Sequence, residues 1–512
     1  MSREGRGAAG AGATMDDGSR SELRGHLKAL NEQFASYITR QRDTNALGVW
    51  SAACKDYLRY VGDLEAEYGA GALANGSSSG AAGHDASSEV FMFGTGDCGQ
   101  LGFGEDVPEL PFPKQLKWKG LCFTKLVCGG MHTLAVSSDG GLWSWGVNDE
   151  GALGRLAKSN NDFVDAQAAG LASAQGAIPE NVPGRVDLPS GSRVAQVTTG
   201  DSHCMALLSS GEVYGWGAYR NSSGVLGFSV QTKIQKLPAK IDLPAGSGKV
   251  VEIASGADHV LALTASGEVF SWGCSEKGRL GRMAKDFADR SPKQDAAVKS
   301  ESLRAGRVPS LTGVAHVACG FFGSFAVSAA GECYGWGLNN YGQLGLPQEG
   351  SFYEPKKLVC LDGKGVKRIS GGEHHTLALT QKGKVLAFGR PTYGRLGRPD
   401  VAADKDAFVS EPNYCEGISG RVECVATGMA VSGAVTTDGD AYVWGYGTTG
   451  QLGKGEDDGD EILPYLLKTK RLAGKNVTWL SFGGQHAGLV AGPGAVGSEG
   501  GQGSAPRKRV RL

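Results

Sequence analysis

The chain has 512 residues with 52 Lys and Arg against 53 Asp and Glu, a formal charge of −1 that excludes recruitment of nucleic acid by a global basic field. Its 82 glycines follow no collagen period and imply many tight turns between short strands. Eleven cysteines without CxxC or Cys/His spacing argue against a zinc module or a disulfide framework, and no apolar run is long enough to span a membrane.

Residues 1–18 are Gly/Ala-rich, lack an apolar pattern or signal-peptide run, and are expected to be disordered. Over 19–68 the spacing predicts two amphipathic helices joined by a short turn. Leu23, Leu27, Leu30, Phe34 and Ile38 stripe the first, and Trp50, Cys54, Tyr57, Val61, Leu64 and Tyr68 the second. Ser19 with Glu22 fits a capping box at the start. Residues 69–88 read as a flexible Gly/Ala/Ser linker.

From Glu89 to Ala491 the chain repeats. Each unit reads G-x-x-H-[TS]-x-A-L, a glycine turn, a strand ending in Trp-Gly, then G-x-L-G, as in "GGMHTLAVSSDGGLWSWGVNDEGALG" and "GADHVLALTASGEVFSWGCSEKGRLG". Short alternating runs broken by glycine turns predict antiparallel strands, and small sheets that cannot bury both faces alone must stack radially. The repeats open on a second half, "EVFMFGTGDCGQLG", and close on a first half, "FGGQHAGLV". The expected fold is therefore all-β: a seven-bladed propeller over 89–491 closed by its two half-blades. Residues 492–512 read as a disordered tail ending in the basic run Arg507, Lys508, Arg509 and Arg511.

Two G-x-G-x-x-G matches, at 94–99 and 445–450, sit in one register of the strand repeat, where a dinucleotide loop would need a following helix. No cofactor or metal is expected. His132, His203, His259, His375 and His486 share one repeat slot, and the expectation is that each satisfies backbone groups at the inner turn. Departures from the repeat carry more information. Asp258 and His374 precede the slot in their copies, Asp201 lies one place earlier in its own, and Asp97 sits in a loop of the same rim. The gap from the aromatic-Gly glycine to the Leu-Gly glycine is eight residues in six copies, but ten from Gly217 to Gly227. The insertion falls at Tyr219-Arg220-Asn221-Ser222-Ser223.

These repeats, with "GDCGQLGFGEDVPE", "NDEGALGR", "GDSH", "SGADH", "GRPTYGRLG" and "GGQH", resemble the regulator of chromosome condensation family, nuclear exchange factors for the small GTPase Ran. Related propellers occur in ubiquitin ligases and in the plant UV-B photoreceptor, whose G-W-R-H-T signature is absent here. The resemblance implies that Tyr219, Arg220, Asn221, Ser222, Ser223 and Gly224 form the family's β-wedge, with Asn221 where the family carries an acid. It implies that Asp258 matters most for exchange, that Asp201 and His374 are further contact positions, and that Asp97, His132 and His486 lie on the same face. It also implies that a loop bearing Arg282, Arg290 and Lys293 docks on nucleosomes. "LKALNEQF" and "KDYLRYV" resemble a module of nucleoporins in the Ran and importin pathway, and the basic run at 507–511 would serve nuclear import. The implied protein is a monomeric, chromatin-associated nuclear factor with Ran, nucleosomes or histones, and importins as partners, and without covalent chemistry.

Overall fold

The computed structural model describes residues 88–494, apart from 105–106, 119, 158–177, 293–294, 402–404 and 456–458. The helical hairpin expected over 19–68, the linker up to residue 87, Lys293 and the basic run at 507–511 lie outside the described residues.

Seven four-stranded antiparallel sheets form the blades, in the radial order the repeats predict. Blade 1 runs Phe123–Cys128, His132–Ser137, Leu142–Gly146 and Gly184–Arg185; blades 2 to 6 begin at Val194, Val250, Val314, Val366 and Val422. Blade 7 takes Lys475–Phe482 and His486–Pro493 from the end of the repeats, and Glu89–Thr95 and Glu109–Gln115 from their beginning. Glu89 pairs with Ala491 and Gly94 with His486, so the two half-blades close the ring by strand pairing.

Burial departs from simple alternation at one place. The second strand of each of blades 1 to 6 is buried at every residue, because neighbouring blades cover both of its faces. Large rings fill the space between blades: Trp145, Trp216, Trp272, Trp336 and Trp444, with Phe93 and Phe388 in the remaining two copies. Truncating one such ring to alanine costs about 3–5 kcal/mol. The glycine after each ring is forced by the backbone. At Gly217 φ is +93°, and a Cβ there would stand 2.1 Å from the carbonyl oxygen of Ser202. The first strands of the blades line an axial cavity of about 260 Å³ that is bordered by Thr199, Ser255, Ser370, Thr427, Ser481 and Asp201.

Candidate functional site

The histidine slot forms a belt between blades. His132 Nε2 meets Cys204 Sγ at 3.0 Å, and the Nε2 atoms of His259, His375 and His486 meet the hydroxyls of Ser324, Ser432 and Thr133 at 2.8 Å. Each partner lies in the next blade and donates in turn to a turn carbonyl: Ser324 to Arg279, Ser432 to Arg395, Thr133 to Gln100, Cys204 to Ala152. Nε2–H is therefore the donor of the imidazole. Burial pushes His132 down to about 4 and His486 to about 3, which keeps both neutral. The expected backbone partners are corrected to hydroxyls and a thiol of the adjoining blade. The side chains of His132 and His486, placed on a contact face by the resemblance, are buried in this belt and not presented to a partner.

The ten-residue gap folds as a hairpin. Tyr219–Asn221 pairs with Gly224–Gly227 across a turn at Ser222 and Ser223. The Asn221 carboxamide oxygen accepts from the Ser223 N–H at 3.0 Å, an Asx turn that sets the tip. Three acids hold the hairpin. Asp258 Oδ1 accepts from the Arg220 N–H at 2.7 Å at the root, and Glu150 pairs with the Arg220 guanidinium. At the tip, Glu276 accepts from the Ser222 hydroxyl at 2.6 Å and its N–H at 3.1 Å. Glu150 and Glu276 were not singled out by sequence. Glu276 occupies the repeat slot of Asp97, three residues after the aromatic-Gly glycine, and that coincidence was the available signal.

The structure brings Asp258, Glu373, Arg220 and Arg279 within electrostatic reach of Asp201, and Arg220, Arg279 and Glu150 within reach of Asp258. Asp258 is 9% exposed, and burial lifts its carboxyl to about 6 against the pull of Arg279 and Arg220. Asp201 remains exposed at the rim. Its poorly solvated surroundings, then the charges of Asp258 and Glu373, lift it to about 7. In the folded chain Asp258 keeps between about pH 4 and 6, and Asp201 between about pH 4 and 7, a proton that the unfolded chain has released, so their contribution to stability falls as pH rises through those windows. Asp201→Asn is expected to raise the melting temperature at about pH 8 by roughly a degree or two and to leave it unchanged near pH 4. Calorimetry at both values checks this, and an equal shift at both contradicts it.

His374 is half-buried near Tyr341, with ring centroids 4.9 Å apart, and Phe322 at 6.2 Å links it to the Arg279 guanidinium, 5.1 Å above that ring. Burial and then Arg395 and Arg390 lower it to about 4, so it presents a neutral ring. Asp97 is exposed beside Cys98 and Asp149, next to Glu150 in sequence and outside the Asp258 cluster. Arg220, Asn221, Ser222, Ser223 and Gly224 all reach the surface, whereas Tyr219 is fully buried and turned inward, so its side chain is no contact group.

Arg282 is also corrected. It is 4% exposed at its side chain, pairs with Glu301 at 2.6 Å and donates to the carbonyls of Ser271, Glu301 and Arg304. Arg155 and Arg398 occupy the same Leu-Gly-Arg slot and make equivalent bonds to Ser144 and Ala387. All three precede the long connections to two-residue outer strands, Gly184–Arg185, Gly306–Arg307 and Asn413–Tyr414, which they tether. Arg290 is exposed but bonded within its own segment, to Asp295 and to the Asp286 carbonyl. Arg282→Ala is expected to cost about 2–4 kcal/mol in urea unfolding by orphaning buried acceptors. A variant that unfolds at the wild-type urea concentration would reverse this assignment.

The RCC1-like domain family model matches residues 89–489. The regulator of chromosome condensation of Mus musculus is 38% identical over 412 residues, 78% of this chain and 90% of that protein. The guanine nucleotide exchange factor SRM1 of Saccharomyces cerevisiae is 33% identical over 436 residues, 78% of this chain and 86% of that protein. The crystal structure of Prp20p from Saccharomyces cerevisiae, described with its binding properties to Gsp1p and histones, superposes with a TM-score of 0.69 at 28% identity, covering 80% of this chain and 92% of that one.

Proposed function

The chain belongs to the RCC1-like domain family, and from that premise we propose that it is a guanine-nucleotide exchange factor for the small GTPase Ran, acting at chromatin in the nucleus. The observation that supports this reading most is the hairpin at 219–227, an insertion in one repeat of seven that is held by acids at its root and tip. The relatives named regulators of chromosome condensation and guanine nucleotide exchange factor point the same way.

Exchange of this kind needs no bond made or broken in the protein. A factor that binds the nucleotide-free GTPase more tightly than the loaded one spends that difference on the barrier to release. In this reading the labour is divided among the residues. Asp258 is committed to the Arg220 N–H and acts through the hairpin, whereas Asp201 is the exposed acid that, once ionised, can compete for a lysine otherwise held by phosphates. The neutral ring of His374 offers contact without charge. Net direction follows the cellular GTP:GDP ratio.

Histones enter the proposal through the relative whose structure was described with them, with Arg290 and Lys293 as the remaining basic groups of the segment after Arg282. Importins enter through the basic run Arg507, Lys508, Arg509 and Arg511. Mixing the protein at micromolar concentration with Ran carrying labelled GDP tests the central claim. Accelerated release supports it. Release at the spontaneous rate overturns it and leaves a binding scaffold.

A further inference from the structure

One ring-to-ring contact breaks a rule kept elsewhere in the propeller. The buried indoles of Trp145, Trp216, Trp336 and Trp444 each donate to a peptide carbonyl of the preceding blade's turn, those of Gln100, Ala152, Arg279 and Arg395, at 2.8–3.0 Å. Trp272 donates instead to the hydroxyl of Tyr219, at 2.7 Å.

Three neighbouring departures share this cause. A Cβ on Gly154, Gly281 or Gly397 would collide with the indole of the next blade, but Gly227, at the same slot, has no such ring against it. The hairpin has drawn the Leu-Gly turn away from Trp272. The residue after His259 is Val260, where Thr133, Cys204, Ser324, Thr376 and Ser432 bond a turn carbonyl and only Ala487 of the closing blade also lacks the donor. His203, which would pair with a hydroxyl at that position, makes no hydrogen bond from either ring nitrogen and packs against Tyr219 at 4.7 Å. Tyr219 thus fills the space vacated by the turn. Its ring stacks on Phe228 at 6.0 Å and 8°, and its hydroxyl replaces the missing carbonyl.

We propose that Tyr219 is a positioning residue, whose bond from Trp272 fixes the angle at which the hairpin leaves its blade. The next residue, Arg220, carries the N–H held by Asp258, so the root is clamped inside and outside within one residue of chain. A hairpin fixed in this way meets its partner already shaped, and less of the binding energy is lost to ordering it. The proposal rests on the exchange reading for its kinetic half and on geometry alone for its structural half.

Tyr219→Phe keeps the ring and removes only the acceptor. The expected result is a maximal rate of GDP release from Ran lower by about tenfold, the effect of orphaning one buried donor, with KM changed by less than about twofold. Hydrogen–deuterium exchange at the amides of 220–227 is expected to quicken, with the rest of the propeller unchanged. Trp272→Phe should behave alike, and the double variant should lose no more than the worse single one, because one bond is being removed twice. Wild-type release in Tyr219→Phe overturns the kinetic half, wild-type deuterium uptake overturns the clamp, and losses that multiply in the double variant overturn the proposal. If the wild-type protein itself fails to accelerate release, the exchange reading and the kinetic half fall with it. The uptake measurement still decides the clamp, since unchanged protection in Tyr219→Phe overturns it regardless of activity.

Discussion

Asp258→Ala is expected to slow GDP release from Ran by tenfold to a hundredfold or more while leaving the propeller folded. The carboxylate makes one charge-assisted bond, to the Arg220 N–H at 2.7 Å, and such bonds contribute about 1.5–3 kcal/mol, or about one to two decades of rate. Stability should change little for a separate reason. Burial raises this carboxyl to about 6, so its ionised form already opposes folding near neutral pH, and removing it offsets the lost bond. Asp258→Asn keeps an oxygen able to accept from Arg220 and is expected to recover part of the rate. Release kinetics beside thermal melts of all three proteins make the test. A melt lowered as far as a core substitution would lower it reassigns Asp258 to structure, and a wild-type rate in Asp258→Ala removes it from the mechanism.

Deleting Ser222 and Ser223 restores the eight-residue spacing and is expected to abolish accelerated release, by about a hundredfold or more. The loss should fall on the release step rather than on encounter, because Asp201, His374 and the aromatic rim remain in place. The ring should still close. Six copies accept the shorter spacing, and strand pairing of Val213–Gly217 with its neighbours does not involve the tip. Nucleotide release, together with a pull-down of nucleotide-free Ran, separates the two steps. A shortened protein that exchanges at the wild-type rate leaves the hairpin without a role.

The repeat and its closure were legible because they rest on backbone constraints that only certain residues satisfy, such as the positive φ at Gly217. The hairpin was legible by counting alone. Which way its residues face was not. In a three-residue strand, alternation puts Tyr219 on the opposite side from Arg220, and the sequence does not say which side is the interior. Arg282 read as a loop cation open to nucleosomes because its acceptors are mostly main-chain carbonyls, which carry no sequence signal. The partners of the slot histidines were hidden by distance along the chain. Ser432 lies 57 residues beyond His375, and Thr133 stands 353 residues before His486. Glu150 and Glu276 look like ordinary acids in surface turns until the hairpin is seen between them.

The closing blade sets an order of events during synthesis. Of the propeller strands Glu89–Thr95 emerges from the ribosome first, but its second partner His486–Pro493 follows almost 400 residues later, at about 5–20 residues per second a wait of roughly 20–80 s. Until then the hairpin it forms with Glu109–Gln115 keeps one apolar edge open on a strand five of whose seven residues are buried in the finished protein. Open edges of this kind pair readily with other chains. Translation that stalls before His486 is therefore expected to release aggregating fragments, and chaperone cover over the first strand becomes a requirement of the topology.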